Sequence, residues 1–408
     1  MLHVASGVAG LLDGPFLYVS GFRFQGAEGD EIDLVSDRVP FDVDAFARAL
    51  EGYRRWRSQV GKTIRSLQSI AKVDHSDGEN EPPKAKAVEK AGQAAPADAA
   101  LNDFRALNRG WEDHLQAFKA LLAPIEGVLE AALRRGEAPE GAPPTAAPDV
   151  VLMVDKALAP IPFEAMEVFA RCASVTREFC LHMMASRLKR LGGSFQAPLD
   201  AAQYLVDMKY EDHEASSRDK GRESGPLVEA FNDRVLKAHG GKWEGRTGSS
   251  TEHVGEEEAA HLIAGSQTLV FCGMHRFLSN IAPKAIANLN LRKCRLAVLV
   301  DNVSNETSAR RQLYLDNRKT PEERSLEEPY EAAALLMLRG TSCVITNTLN
   351  THVDNNVEFL DGLMVGIHAG STAAAATRAA AQRLGEKSKA LAYAAAVPVV
   401  YGIGWVTK

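Results

Sequence analysis

The stretch that most constrains the fold is residues 268 to 302. Thr268–Phe271 and Leu296–Val300 are short runs rich in β-branched and aromatic residues, too short for helices, and they read as buried strands. Between them, Ile281 to Leu289 carries helical apolar spacing. Strand, crossover helix and strand make a βαβ unit, which demands parallel neighbours in one sheet. In open parallel sheets, functional side chains gather just past the carboxyl ends of the strands. Here those positions are Cys272, Gly273, Met274 and His275 after the first strand, and Asp301 and Asn302 after the second. Both loops open into one crevice, where the His/Cys dyad of a cysteine peptidase would sit.

The rest of the chain divides by composition. Residues 1–41 hold FLYVSGFRF and IDLV, short strands or irregular docking segments. Residues 42–135 read as a helical hairpin. Asp42 stands as an N-cap, and Phe46, Leu50, Tyr53, Trp56, Val60, Ile64, Leu67 and Ala71 recur every three or four residues. From Leu101, Phe104, Trp111, Leu115, Phe118, Leu122, Ile125 and Leu129 continue the pattern through Pro124. The two helices are expected to pair antiparallel or to join a neighbouring helical array. Their apolar stripes are candidate docking faces. Arg54, Arg55, Arg57, Lys62 and Arg65 cover the other faces of the first helix, either as a solvated surface or as a surface for an acidic partner. Residues 74–99, rich in Pro, Ala and charge, read as a disordered linker, and 136–148 as a second linker.

From residue 149 to 408 strand-like and helix-like segments alternate, the mark of an α/β domain. Val150–Val154, Val175, Tyr204–Val206 and Thr341–Thr346 read as strands. Arg177–Arg190, Pro226–Lys237, Glu256–Ile263, Glu331–Leu338, Asn356–Ile367, Ser371–Leu384 and Glu386–Ala395 read as helices. Val399–Tyr401 and Trp405–Val406 read as a closing strand pair. Between Asn302 and Glu331 the chain is strongly charged and reads as a surface excursion. The fold expected is α/β, a mostly parallel sheet flanked by helices and preceded by a long two-helix segment.

Composition removes several function classes. The 47 basic and 53 acidic residues leave a formal charge of -6, without the basic footprint of a nucleic-acid binder. No run is long enough for a membrane span. The start, MLHVASGVAGLLDGPF, lacks a charged region and contains Asp13, so no secretory leader is expected. It reads equally as an internal part of a larger protein. Five cysteines in no CxxC pair suggest a reduced, intracellular setting. There is no HExxH, no P-loop and no GxGxxG, so no cofactor and no metal site is expected.

The order of landmarks carries a resemblance. An LxxIPFE segment, LAPIPFE at Leu158–Glu164, precedes the two strand-end loops. The block LLMLRGTSCVITNTLNTHVDN and the Ala-rich GLMVGIHAGSTAAAATRAAAQRL follow them. Over residues 150 to 406 this resembles the CHAT domain, the caspase- and separase-like peptidase fold. Active members carry histidine after the first strand and cysteine after the second. Aligning Phe271-Cys272-Gly273 with the family's aromatic–x–Gly puts Met274 at the histidine position, and a one-residue slip would put His275 there. Asn302 falls where the cysteine belongs. A carboxamide has no thiol proton to give up and cannot form an acyl-enzyme in the ordinary way. The resemblance therefore implies a degenerate dyad at Met274, His275 and Asn302, no catalytic residues and no enzyme. The alternative is an active CHAT-type cysteine peptidase using His275 with Cys272 or a displaced thiol.

Other candidates are weaker. Cys343 lies inside a strand and Cys294 precedes one. Asp155, Glu164, Asp301 and Asp354 are readable as acid/base groups or ligands, with helix capping the plainer role for Asp301. His352 and Asp354 lie past a strand end and are candidates to line the crevice. VDKALAPIPFEAMEVF, SVTREFCLHMM, FCGMHRFLSN and LAVLVDN narrow the resemblance to the C-terminal region of a family of large axonemal proteins of motile cilia. That likeness implies a structural role in the C1d projection of the central apparatus. It implies helical-repeat protein partners and indirect microtubule association, with no nucleic acid and no membrane.

Overall fold

The computed structural model describes residues 2–5, 16–24, 32–40, 42–76, 94–134, 147–191, 198–208, 225–249, 253–301, 312–387 and 393–404. Strands β1 (Leu2–Ala5), β2 (Phe16–Phe24) and β3 (Ile32–Pro40) form an antiparallel sheet. Its β2 and β3 lie against the second helix of the hairpin. The hairpin is α1 (Val43–Ser76) and α2 (Ala94–Arg134). The helices run into both ends of the expected linker, and residues 77–93 lie outside the described set, as do 135–146 of the second linker. Asp42 caps α1, its Oδ1 accepting the Ala45 N–H at 2.8 Å.

The α1 stripe is buried along its described length: Phe46, Leu50, Tyr53, Trp56, Val60 and Ile64. It meets Leu107, Trp111, Phe118 and Leu122 of α2. Tyr53 faces Phe118 while Trp56 faces Trp111, so the helices run antiparallel. The Trp56 indole N–H donates to the Leu107 carbonyl at 2.9 Å. Gly110 makes this approach possible, because a Cβ there would sit 2.7 Å from Trp56 Cδ1. Trp56 also stands edge-on to Tyr393 of the α/β body, at 5.5 Å between ring centroids. The described part of both stripes is therefore internal, which corrects its reading as a docking face. Burying such rings against one another and against Tyr393 takes their apolar area out of water.

The body is one eight-stranded sheet in the order β4-β5-β11-β10-β9-β8-β6-β7. The strands are β4 (Asp149–Met153), β5 (Ser174–Glu178), β6 (Gln203–Val206), β7 (Glu244–Thr247), β8 (Thr268–Cys272), β9 (Leu296–Val300), β10 (Cys343–Asn347) and β11 (Pro398–Gly402). Neighbours are parallel except β10 and β11, which are antiparallel. The sheet thus has two parallel blocks of opposite direction. The closing strand β11 pairs with β10 and β5; Trp405–Val406, expected to form a strand pair with it, lies outside the described residues.

Alternation sorts the side chains. Val270, Cys272, Val298, Val300, Cys343 and Ile345 face the core shared with the hairpin, α11 (Val353–His368) and α12 (Ala373–Lys387). Leu269, Phe271, Ala297, Leu299, Val344 and Tyr401 face the opposite core. That side is covered by α6 (Glu256–Gly265), α8 (Pro283–Ala287) and α10 (Pro329–Arg339). Further helices are α3 (Leu181–Leu191), α4 (Pro226–Phe231), α5 (Lys237–His239), α7 (Phe277–Asn280) and α9 (Pro321–Leu326). A π-helical turn, Asn232–Leu236, joins α4 to α5. Among the described residues no helix is long and apolar enough to cross a membrane.

One local expectation fails for a physical reason, and another, the crossover helix within Ile281–Leu289, is found shorter and preceded by a further turn of helix. Arg177 lies in β5, not in a helix, with its side chain 2 % exposed. Its guanidinium holds Glu164 through both carboxylate oxygens at 2.7 and 2.6 Å and donates to the carbonyls of Ala159 and Ile161. The IPFE turn is thus tied to the sheet by one arginine. The crossover after β8 is two short helices, α7 and α8, because Pro283 opens the second at its first position.

Candidate functional site

The two landmark loops converge as β8 and β9 require. Cys272 lies opposite Val300 in parallel register, and the Gly273 N–H donates to the Val300 carbonyl at 3.0 Å. Met274 packs half-buried against the core. His275 is buried, and its carbonyl accepts from Asn280 Nδ2 at 3.5 Å. Asn302 lies outside the described residues. Asp301, one position past β9, is buried, and its Oδ2 accepts the Phe277 N–H at the start of α7 at 2.8 Å. Its own carbonyl accepts from Asn347 Nδ2 and Asn356 Nδ2 at 3.2 and 3.4 Å, so β9, β10 and α11 meet on this residue. Burial pushes the Asp301 carboxyl up to about 7, against the pull of the Phe277 N–H and of Arg276.

The thiols are placed for packing. Cys272 is fully buried on the hairpin side of the sheet. Burial pushes its thiol far above the ordinary range, and the carboxylates of Asp207 and Asp301 add to this. Cys343 opens β10 and Cys294 precedes β9, both at the edge away from the loops and both pushed up by burial. Cys180 is the exposed cysteine. It follows β5, whose direction is reversed, and so it too lies at the far edge. Cys172 precedes β5 on the loop side, but it is buried four strands from β8 and its thiol is also pushed up.

The other candidates hold structure. Asp155 accepts the Ala157 N–H at 2.9 Å and caps a 3-10 turn. Glu164 is the partner of Arg177. His352 caps α11, its Nδ1 facing the Asp354 N–H at 3.2 Å and the Asp354 carboxylate at 3.1 Å. Among the described residues no group of three or more His, Cys, Asp or Glu side chains could hold a metal ion.

What the loops do build is a cleft of about 600 Å³. Thr348 and Asn350, past β10, line it in place of His352 and Asp354, and Arg276 comes from the loop past β8. Tyr53, Arg54 and Arg57 of α1 form one wall, with Lys156 beside them. Glu328, Tyr330 and Glu331 at the start of α10 form another. Two ion pairs join the walls: Arg57 to Glu328 at 3.1 Å, and Lys156 to Glu331. Burial pushes the Tyr53 phenol up to about 12, so it stays a neutral hydrogen-bonding group at ordinary pH. The described part of the charged stretch before α10 lies mostly at the surface, as an excursion would, yet it is anchored. Arg276 pairs with Asp316 and, at 2.9 Å, with Glu327, which also binds Lys319 and accepts from Ser279 Oγ at 2.7 Å. Glu327 is nearly inaccessible. No sequence pattern exposed these lining residues, because they come from six separate segments, Tyr401 of β11 among them.

Comparison with known proteins follows this architecture. The structure is similar to Saccharomyces cerevisiae separase in two crystal structures of the separase–securin complex. The TM-scores are 0.61 and 0.52, at 10% and 12% sequence identity. They cover 92% and 83% of this chain. The fold is caspase-like. No protein-family model matches the chain. In sequence it is similar to cilia- and flagella-associated protein 46 of Chlamydomonas reinhardtii, 29% identical over 313 residues, or 65% of this chain. That alignment spans 11% of the ciliary relative, and the likeness to separase spans 27% and 29% of those chains. The resemblance read from the landmark segments therefore has a named ciliary relative and a shared fold.

Proposed function

We propose that the chain is a structural subunit of the ciliary axoneme, built on a catalytically inactive caspase-like body. The cilium or flagellum is the setting supported by the name of its relative, cilia- and flagella-associated protein 46. The finer placement is the C1d projection of the central apparatus. Its neighbours there would be other central-apparatus proteins, helical-repeat subunits among them, and its microtubule association indirect. One observation carries the non-enzymatic reading. Among the described residues, no cysteine is both exposed and at the sheet edge where His275 lies. The degenerate dyad at Met274, His275 and Asn302 agrees with it, since Asn302 follows Asp301 at the tip of β9 and offers an amide where a sulfur would be needed.

Cryo-electron tomography of axonemes carrying a tagged chain tests this reading. The tag is expected as added density on a projection of the central pair. Density on the outer doublets, or a chain that stays in the soluble fraction, would contradict it.

A further inference from the structure

The cleft between α1 and α10 has a charge imbalance at its walls. Arg54, Arg57, Lys156 and Arg276 face it, against Glu328 and Glu331. With Asp316, Glu327 and Lys319 behind Arg276 counted, five cations meet four carboxylates, although the whole chain is acidic, at -6. Arg57 and Lys156 spend their charge on Glu328 and Glu331 across the gap. Those pairs are partly open to water: Arg57 and Glu328 side chains are 31% and 45% exposed, Lys156 and Glu331 68% and 21%. Ion pairs this exposed hold their partners weakly and exchange easily. Arg54 is exposed on the same wall, and Arg276 is fixed in place by Asp316 and Glu327 behind it.

We propose that this cleft binds an acidic peptide segment of a partner protein, and that Glu328 and Glu331 occupy its carboxylate positions while it is empty. The arriving carboxylates take over Arg57 and Lys156, and the two glutamates turn to solvent. Thr348, Asn350 and the Tyr53 hydroxyl remain to bond the peptide's backbone. The described part of the apolar stripes is spent inside the molecule and does not serve as this surface. The inference rests on reading the chain as a binding module and names the chemistry of one partner.

The test is fluorescence anisotropy on the full chain with a short labelled peptide of alternating glutamate and serine, and its glutamine counterpart. The glutamate peptide is expected to bind about tenfold more tightly than the glutamine one, with the difference shrinking as salt rises. Joint Arg57→Ala and Lys156→Ala substitution should remove that preference. Glu328→Gln with Glu331→Gln should tighten glutamate-peptide binding a few-fold by deleting the internal competitor, a gain that no folding defect imitates. Equal affinity for the two peptides, an unchanged Arg57/Lys156 variant, or equally tight binding of a single-stranded oligonucleotide would each overturn the proposal. A failure here leaves a module with some other partner. Failure of the non-enzymatic reading would instead show as thiol reactivity.

Discussion

Arg177→Ala is expected to cost about 3–5 kcal/mol of folding stability, the range for breaking a buried ion pair from one side. The substitution strands the Glu164 carboxylate, whose side chain is 12% exposed, and leaves the Ala159 and Ile161 carbonyls without their donor. It also removes the cation lying 5.7 Å from the centre of the Phe163 ring. A domain with a typical total of about 5–15 kcal/mol would lose a large share of its margin. Arg177→Lys should recover little, because a single ammonium cannot match a two-oxygen clasp plus two carbonyls. Urea denaturation followed by circular dichroism measures the loss. Joint replacement of Arg177 and Glu164 by methionine should be far milder than either single change, since no charge is then left uncompensated. A loss under about 1 kcal/mol for Arg177→Ala would show that the IPFE turn is held by packing alone.

Asp301→Asn is expected to change the pH dependence of stability by up to about 4 kcal/mol across the acid-to-neutral range. The folded carboxyl keeps its proton until about 7, whereas an unfolded aspartate loses it near 4. Between those values the native state binds more protons than the unfolded state, so stability falls as pH rises. The contribution of Asp301 is complete below about pH 4 and gone above about pH 7, with a slope of at most about 1.4 kcal/mol per pH unit. Charges facing it from neighbouring elements are Arg276, which favours the ion, and Glu328, which opposes it. Asparagine retains an acceptor for the Phe277 N–H and does not titrate. Unfolding free energies of the variant and its parent, measured from pH 4 to 8, should therefore diverge in favour of the variant as pH rises. Parallel curves would mean that Asp301 is ionised in the folded protein throughout.

Some of this architecture was legible in the chain and some was not. The α1 and α2 stripes follow helical periodicity, and β8 and β9 are continuous apolar runs, so both announce themselves. Their packing does not: nothing local says that Trp56 and Trp111 would meet Tyr393, 337 and 282 residues on. Strand β7, Glu-Gly-Arg-Thr, lacks any large apolar residue because it lies at the sheet edge, where side-chain burial is not required. Arg177 reads as helical because a charged residue inside a fully buried strand makes sense only once its partner in the IPFE turn is known. The reversal at β11 depends on which strand it joins, and periodicity carries no such information. At the site, the strand-end positions were readable from the βαβ pattern. The cleft was not, since its walls are made by α1, the turn after β4 and the start of α10 together.

The measurement that bears most directly on the central claim, a protease-shaped body without a working thiol, is mass-spectrometric mapping of the native chain after exposure to a thiol-directed peptidyl electrophile. Labelling is expected only at Cys180, at the slow rate of a simple exposed thiol and equally in a His275→Ala variant, with Cys172, Cys272, Cys294 and Cys343 reacting only after denaturation. Rapid stoichiometric labelling of Cys272 or another buried cysteine in the folded protein, abolished by His275→Ala, would contradict the account and make the chain a cysteine peptidase.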